Sequence, residues 1–354
     1  MAPEAIALGL DTFGDVSRRP DGTRVSEAQA LRDVVEEGLL AEQVGLEHFA
    51  LGEHHREDMP ASAPDVVLAA IAARTERIQI GSAVTVLSSD DPVRVFERYS
   101  TLNAISGGRA DVILGRGSTI ESFPLFGYDL DDYELLFEEK LDLFVRLLQG
   151  PRVTWTGSTR PPLQDQRIVP ELESALSTWV GVGGSPDSVR RAARHGLPLM
   201  LAIIGGSPAR FAPLAELYRS ELERLKKPPR PIGVHSPGHI AETDREARDQ
   251  FWPHYADAMG RVAVERGFPP PTRESFVREI GPHGALYVGA PETVARKIVT
   301  TLDTLGATRF DLKYGMGDLS HDSLMKAIEL YGTRVAPLVK EMVDRQDGAP
   351  AAAR

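Results

Sequence analysis

Val180-Gly181-Val182-Gly183-Gly184-Ser185-Pro186-Asp187-Ser188 reads as a strand that turns directly into a helix. Valines alternating with small residues suit a buried strand, and two glycines permit a sharp exit. Ser185 is a natural N-cap, and Pro186 suits the first helical position, where its missing N–H costs nothing. The same transition recurs along the chain. Strands are expected at residues 5–10, 48–52, 78–87, 110–114, 178–182, 199–204, 232–235 and 308–313. Helix-periodic segments lie at 27–44, 92–105, 133–148, 186–195, 208–225, 244–265, 291–305 and 324–343.

Eight strands, each followed by a helix, is the count of an α/β fold of the (β/α)8 TIM-barrel type with insertions at its C-terminal mouth. A doubly wound open sheet uses the same alternation with fewer strands and is the runner-up. One barrel domain is expected over residues 1–346, followed by an Ala-rich, frayed tail at 347–354.

The chain has 51 acidic and 40 basic residues and a net charge of -11. That balance repels phosphate backbones, and no local basic patch offsets it, so no nucleic-acid partner is expected. There is no cysteine, which excludes disulfides, thiolate metal sites and a cysteine nucleophile. The N-terminus lacks a basic leader and carries Glu4 and Asp11, unlike a signal peptide. The longest strongly apolar run, 197–204, is too short to span a bilayer. A cytoplasmic protein without a membrane partner is the default expectation.

Three stretches break the alternation: 118–132, 150–177 and 268–284. Loops this long either fold over a site or are surface insertions. The first carries Phe123, Phe126 and Tyr128, which would line a substrate or anchor their own loop.

Candidate chemistry sits at strand ends. Glu53-His54-His55 follows the second strand and brings imidazole to the barrel mouth, where it can exchange protons near neutrality. Neighbouring strand residues face opposite ways, so His54 and His55 are not expected to act together. A metal reading would recruit His235 and His239, but no carboxylate has telling spacing, and no metal is expected. Gly115-Arg116-Gly117 ends the fourth strand with a fork-shaped cation that is either functional or simply solvated. Gly183, Gly184, Ser185 and Ser188 offer free amides, a helix dipole and two hydroxyls, a cradle for phosphate or merely a well-made helix start. Asp187 competes for the same field.

Taken in order, these motifs resemble the luciferase-like flavin monooxygenases over most of the chain. The resemblance rests on Glu53-His54-His55, on 81–87 with Asp91-Pro92-Val93-Arg94, on 105–109, on Gly115-Arg116-Gly117, on Gly183-Gly184-Ser185-Pro186 and on 284–292. It implies a barrel whose mouth holds FMN, or in some relatives a deazaflavin coenzyme. His54 would be the active-site histidine facing the flavin and would stabilise or deprotonate its oxygen adduct. Ala83-Val84 would form a non-proline cis peptide beneath the ring, with Glu53, Gly183 and Gly184 beside the cofactor. Arg116, Ser185 and Ser188 would hold the phosphate. The segment 268–284 would close as a lid.

The implied activity is an FMN-dependent monooxygenase or oxidoreductase acting on a small organic substrate with reduced flavin and oxygen. The alternatives are a deazaflavin-dependent dehydrogenase on the same barrel and a flavin-binding protein without turnover. FMN is favoured because Glu-His-His differs from the deazaflavin users' motif. With no nicotinamide site in view, a separate flavin reductase is expected, and the family implies a homodimer. Light-emitting members carry a cysteine near the flavin where this chain has Leu114-Gly115, which speaks against bioluminescence.

Overall fold

The computed structural model describes residues 6–117 and 121–347. The chain begins with β1 (Ala7–Thr12), α1 (Glu27–Gln43), β2 (His48–Leu51), α2 (Pro64–Ala72), β3 (Gln79–Val86), α3 (Pro92–Ile105) and β4 (Ala110–Gly115). Next come α4 (Ser122–Phe126), α5 (Tyr133–Leu147) and a hairpin of β5 (Arg152–Trp155) and β6 (Leu163–Arg167). The alternation resumes with β7 (Ser177–Val182), α6 (Pro186–His195), β8 (Leu199–Ala202), α7 (Ala212–Arg224) and β9 (Ile232–Ile240). The last part holds α8 (Asp244–Arg266), α9 (Arg273–Ile280), β10 (Tyr287–Gly289), α10 (Pro291–Leu305), β11 (Arg309–Lys313), α11 (His321–Leu330) and α12 (Ala336–Asp347).

Among the described residues, eight parallel strands close in the order β1-β2-β3-β4-β7-β8-β9-β11, and β11 returns to β1. Each falls on a stretch expected to be a strand. The open-sheet alternative fails on that last pairing, since Leu10 sits opposite both Leu312 and Phe49. The starts of α1, α3, α6 and α11 are built as their sequences suggest. Ser26, Asp91, Ser185 and Ser320 each accept a backbone N–H from the first turn.

The main apolar core lies between the strands and the outer helices. Inside the barrel, Ile113, Trp179 and Met200 form a separate small cluster with Ala83 and Val84 against it. Beside that cluster Arg309 is clamped between two carboxylates, at 2.6 Å from Asp111 and 2.7 Å from Asp311, with its guanidinium 4.9 Å from the Trp179 ring centre. Unpaired, any of these buried charges would be very costly; paired in this way, they are retained.

Two elements depart from the sequence expectation. The helix after β2 is α2, whose sequence Pro-Asp-Val-Val-Leu-Ala-Ala-Ile-Ala is too short and uniformly apolar to show a period. The segment 244–265, read as the helix packing behind the seventh strand, instead crosses the mouth as α8. Its far end is tied to the loop after β2 by Arg56–Glu265 and by Arg261–Asp58, and its middle by His254–Asp318. The next helix to pack against β9 is α10, joined there by α11, so 238–290 is one large insertion at the C-terminal mouth.

The stretch 150–177 leaves from the end of α5 and so lies on a return connection, not after a strand end. Its hairpin packs Val153 and Trp155 inward, and Trp155 Nε1 donates to Asp142 of α5. It is the surface insertion, not a cover for the mouth. The expected tail begins at 347, and residues 348–354 lie outside the described residues, as do Ser118, Thr119 and Ile120 of the first long loop.

Candidate active site

The barrel opens at its C-terminal end into a cavity of about 540 Å³. Strand ends supply most of its wall, because consecutive βα turns meet only there. Seven of the residues singled out in the sequence line it together: Glu53, His54, Ala83, Val84, Arg116, Gly183 and Ser185. Gly184 and Ser188 are not part of that wall and sit at the start of α6 just behind it.

The Ala83–Val84 peptide is cis. Val84 is accommodated because its neighbours on β4 and β7 are glycines. A Cβ on Gly115 would stand 2.5 Å from Val84 Cγ2, and one on Gly181 would stand 3.0 Å from Val84 Cγ1. Glu53 turns back into the structure. One carboxylate oxygen accepts the Val86 N–H at 2.8 Å, and the other pairs with His55 Nε2 at 3.0 Å. His55 meets Phe126 edge-on and does not line the cavity. His54 points the other way, into the cavity. It is buried, its Nδ1 lies 3.0 Å from Glu121 Oε1, and its ring packs 4.7 Å from Phe13.

The other end of the cavity is cationic. Arg116 pairs with Glu134 and lies 4.9 Å from the Tyr133 ring centre. Ser185 Oγ accepts the Ser188 N–H as the cap of α6, and Gly184 has a φ of +128°, a conformation that favours glycine. A Cβ at Gly183 or Gly184 would meet nothing within 4 Å, so the turn faces open space. Asp187, which could have spoiled an anion site, is 81% exposed and bound to Arg190 at 2.9 Å, turned toward solvent. Ser188 Oγ and Arg191 Nη1 are buried without a partner among the described residues.

Sequence reasoning missed much of the rest of the wall, and named His235 only for a metal site. Asp11, Phe13, Phe211, His235, Arg266 and Asp311 all line the cavity. They come from β1 and the residue after it, the turn before α7, β9, β11 and the crossing helix α8, and only barrel closure brings them together. Phe13 follows the first strand directly, which was a usable signal. The aromatic residues expected on the substrate side are elsewhere. Phe123 is fully buried against Tyr133, Phe126 covers His55, and Lys140 Nζ lies 4.0 Å from the Tyr128 ring centre, so they anchor their own loop. His235 and His239 also part company. β9 pairs with β11 up to Pro237, then with β10 from Gly238, and His239 ends 2.9 Å from Gln250 on α8. Among the described residues no group of three or more His, Asp or Glu side chains could hold a metal.

Comparison with known proteins places this geometry. Residues 14–309 match the model of the luciferase-like monooxygenase family. The chain belongs to that family. Within it, the chain is 26% identical to limonene 1,2-monooxygenase of Rhodococcus erythropolis, over 84% of this chain and 78% of the relative. A Sinorhizobium fredii relative, also 26% identical, is matched over 62% of each chain. The monooxygenase RslO1 from Streptomyces bottropensis superposes with a TM-score of 0.81 at 22% identity, covering 94% of this chain and 99% of that one.

The oxygenating constituent of the Pseudomonas putida 3,6-diketocamphane monooxygenase, solved with FMN, gives 0.72 at 18% identity, over 94% and 99%. An F420-dependent secondary alcohol dehydrogenase gives 0.73 at 16%, over 95% and 99%. At these identities the structures speak for the fold. Proteins with both cofactor types share this barrel, and the chain is an oxidoreductase of the luciferase-like monooxygenase family. Among its described residues no helix is long and apolar enough to cross a membrane.

Proposed function

We propose that the chain is an FMN-dependent monooxygenase acting on a small organic substrate. The observation that carries this is one cavity with a histidine–carboxylate pair at one end and an anion cradle at the other. The cradle fits a phosphate group. A buried Ser188 hydroxyl lacks a partner, the Gly183-Gly184 turn leaves room beside it, and the start of α6 supplies dipole and amides. Arg116 would exchange the exposed carboxylate of Glu134 for the phosphate, a stronger fork-shaped contact.

When bound, the flavin supplies the redox chemistry with oxygen. The protein's own part is positioning and proton control. Ala83 and Val84 form an apolar floor, while Arg116, Ser185 and Ser188 hold the phosphate and so set how deep the ring reaches. His54, oriented by Glu121 through Nδ1, moves a proton at Nε2. Phe13 and Phe211 keep water away from that proton. Reduced flavin arrives from a separate reductase.

The second reading is a deazaflavin-dependent dehydrogenase, supported by the equally good superposition on the F420 enzyme. Fluorescence titration with FMN and with F420, followed by oxygen uptake of the reduced complex, separates the two. Binding of FMN and oxygen consumption are expected. Binding of F420 alone, without oxygen consumption, would replace the first reading by the second.

A further inference from the structure

The cavity holds a second histidine–carboxylate pair that the proposed flavin chemistry does not use. His235 stands on β9 with Nδ1 2.6 Å from Asp11 Oδ2 on β1. Asp11 is fully buried, and its other oxygen has no partner among the described residues. Neighbouring charges are already balanced. Asp311, opposite His235 in the β9–β11 ladder, is clamped by Arg309. Lys313 of β11 is bound to Asp15 at 3.1 Å and caps the Phe13 ring. His54 lies across that same ring, which is 4.7 Å from it and 6.2 Å from His235. Arg266 lines the cavity from α8.

A buried carboxylate at Nδ1 draws the imidazole proton to that nitrogen and leaves the Nε2 lone pair as an acceptor. His235 lines the cavity, and Nδ1 is the one atom of its side chain with a hydrogen bond among the described residues. The cavity wall brings apolar groups, Phe13, Met200, Ala202, Ile204 and Phe211, together with the polar ones already named. A ligand that satisfies such a site has an apolar body and a single weakly acidic donor.

We infer that the substrate is an enol or phenol and that His235 is its general base, with Asp11 as a positioning residue. The substrate O–H bond breaks, the proton forms the Nε2–H bond of an imidazolium held by Asp11, and the electron pair stays on the substrate oxygen. No electron changes hands in this step. The resulting anion is electron-rich at the carbon beyond the oxygen-bearing one, or at the ortho and para carbons of a phenolate, which suits it to oxygen transfer; the inference rests on the monooxygenase reading for that later step only.

The test needs no cofactor. The apo-protein is titrated with 4-nitrophenol, and the pH midpoint of the bound probe is read from its visible absorbance. A midpoint about one pH unit or more below that of free 4-nitrophenol is expected. His235→Gln and Asp11→Asn should each return it toward the free value while FMN affinity is kept. No binding of the probe, or a midpoint unmoved by both variants, would overturn the assignment. A shift removed by His54→Gln and kept by His235→Gln would overturn it as well, moving the base to the other histidine. Failure of wild-type protein to bind FMN would remove the flavin reading and leave the phenol result standing, so the two are told apart.

Discussion

Ser188 and Arg116 are the residues whose chemistry is least complete without a ligand. The Ser188 hydroxyl is buried and unpartnered, and Arg116 is held by a carboxylate that is 61% exposed. A hydrogen bond to a charged group contributes about 1.5–3 kcal/mol. Ser188→Ala and Arg116→Met should therefore each weaken FMN binding by roughly 10- to 100-fold, read by fluorescence quenching. Unchanged affinity in both variants would take the phosphate away from this cradle. His54 is a different case, since it lies at the other end of the cavity. His54→Gln should bind FMN normally and lose turnover; an active variant would end its proton role. These residues were legible in the sequence because each sits at a strand end in a local pattern of glycine, cation or cap. Asp11 and Asp311 were not, and His235 was read only as a possible metal ligand. Each looks like an ordinary polar residue within a strand, and its meaning comes from partners more than 200 positions away or across the barrel.

At the scale of elements, strands were easier to read than helices. The strands are short, apolar and bounded by turn residues, so periodicity and punctuation agree. α2 escaped because a nine-residue apolar helix has no polar face to set a period. α8 was misplaced for the opposite reason. It is a strong helical pattern, yet most of its surface is exposed and its ties are to loops at the mouth. What holds the end of this insertion is α9. Phe276 is buried, with ring centres 5.1 Å from Trp252 and 5.5 Å from Tyr255. Glu279 on the same helix accepts the N–H groups of Gly206 and Ala285. Removing a buried phenyl group costs about 3–5 kcal/mol. Because α9 lies outside the barrel wall, Phe276→Ala should release that helix before it unfolds the barrel. Limited proteolysis should cut first within 266–284, with only a modest fall in melting temperature. A large cooperative loss of stability without early cleavage would make α9 part of the barrel's folding unit.

The whole molecule depends on its last βα unit closing on its first, and that joint carries a titratable contact. His321, the first residue of α11, pairs through Nδ1 with Glu37 of α1 at 3.1 Å, and Tyr314 donates to the same carboxylate at 2.5 Å. The bond to Glu37 raises the His321 pKa to about 9 against the opposing effect of burial. In the unfolded chain an imidazole titrates near about 6.5. Between those values the folded state holds a proton that the unfolded state has released, so stability must fall as pH rises. The contribution is complete below about 6.5 and is lost on passing through about 9. Melting temperature should decline over that window in wild-type protein, and the decline should flatten in His321→Gln. The same slope in the variant would assign it to other groups. Nothing in the local sequence announces this pair, since 284 positions separate its partners. The barrel could be counted from the sequence, but the seam that closes it belongs to tertiary structure, and there the pH dependence of the fold should reside.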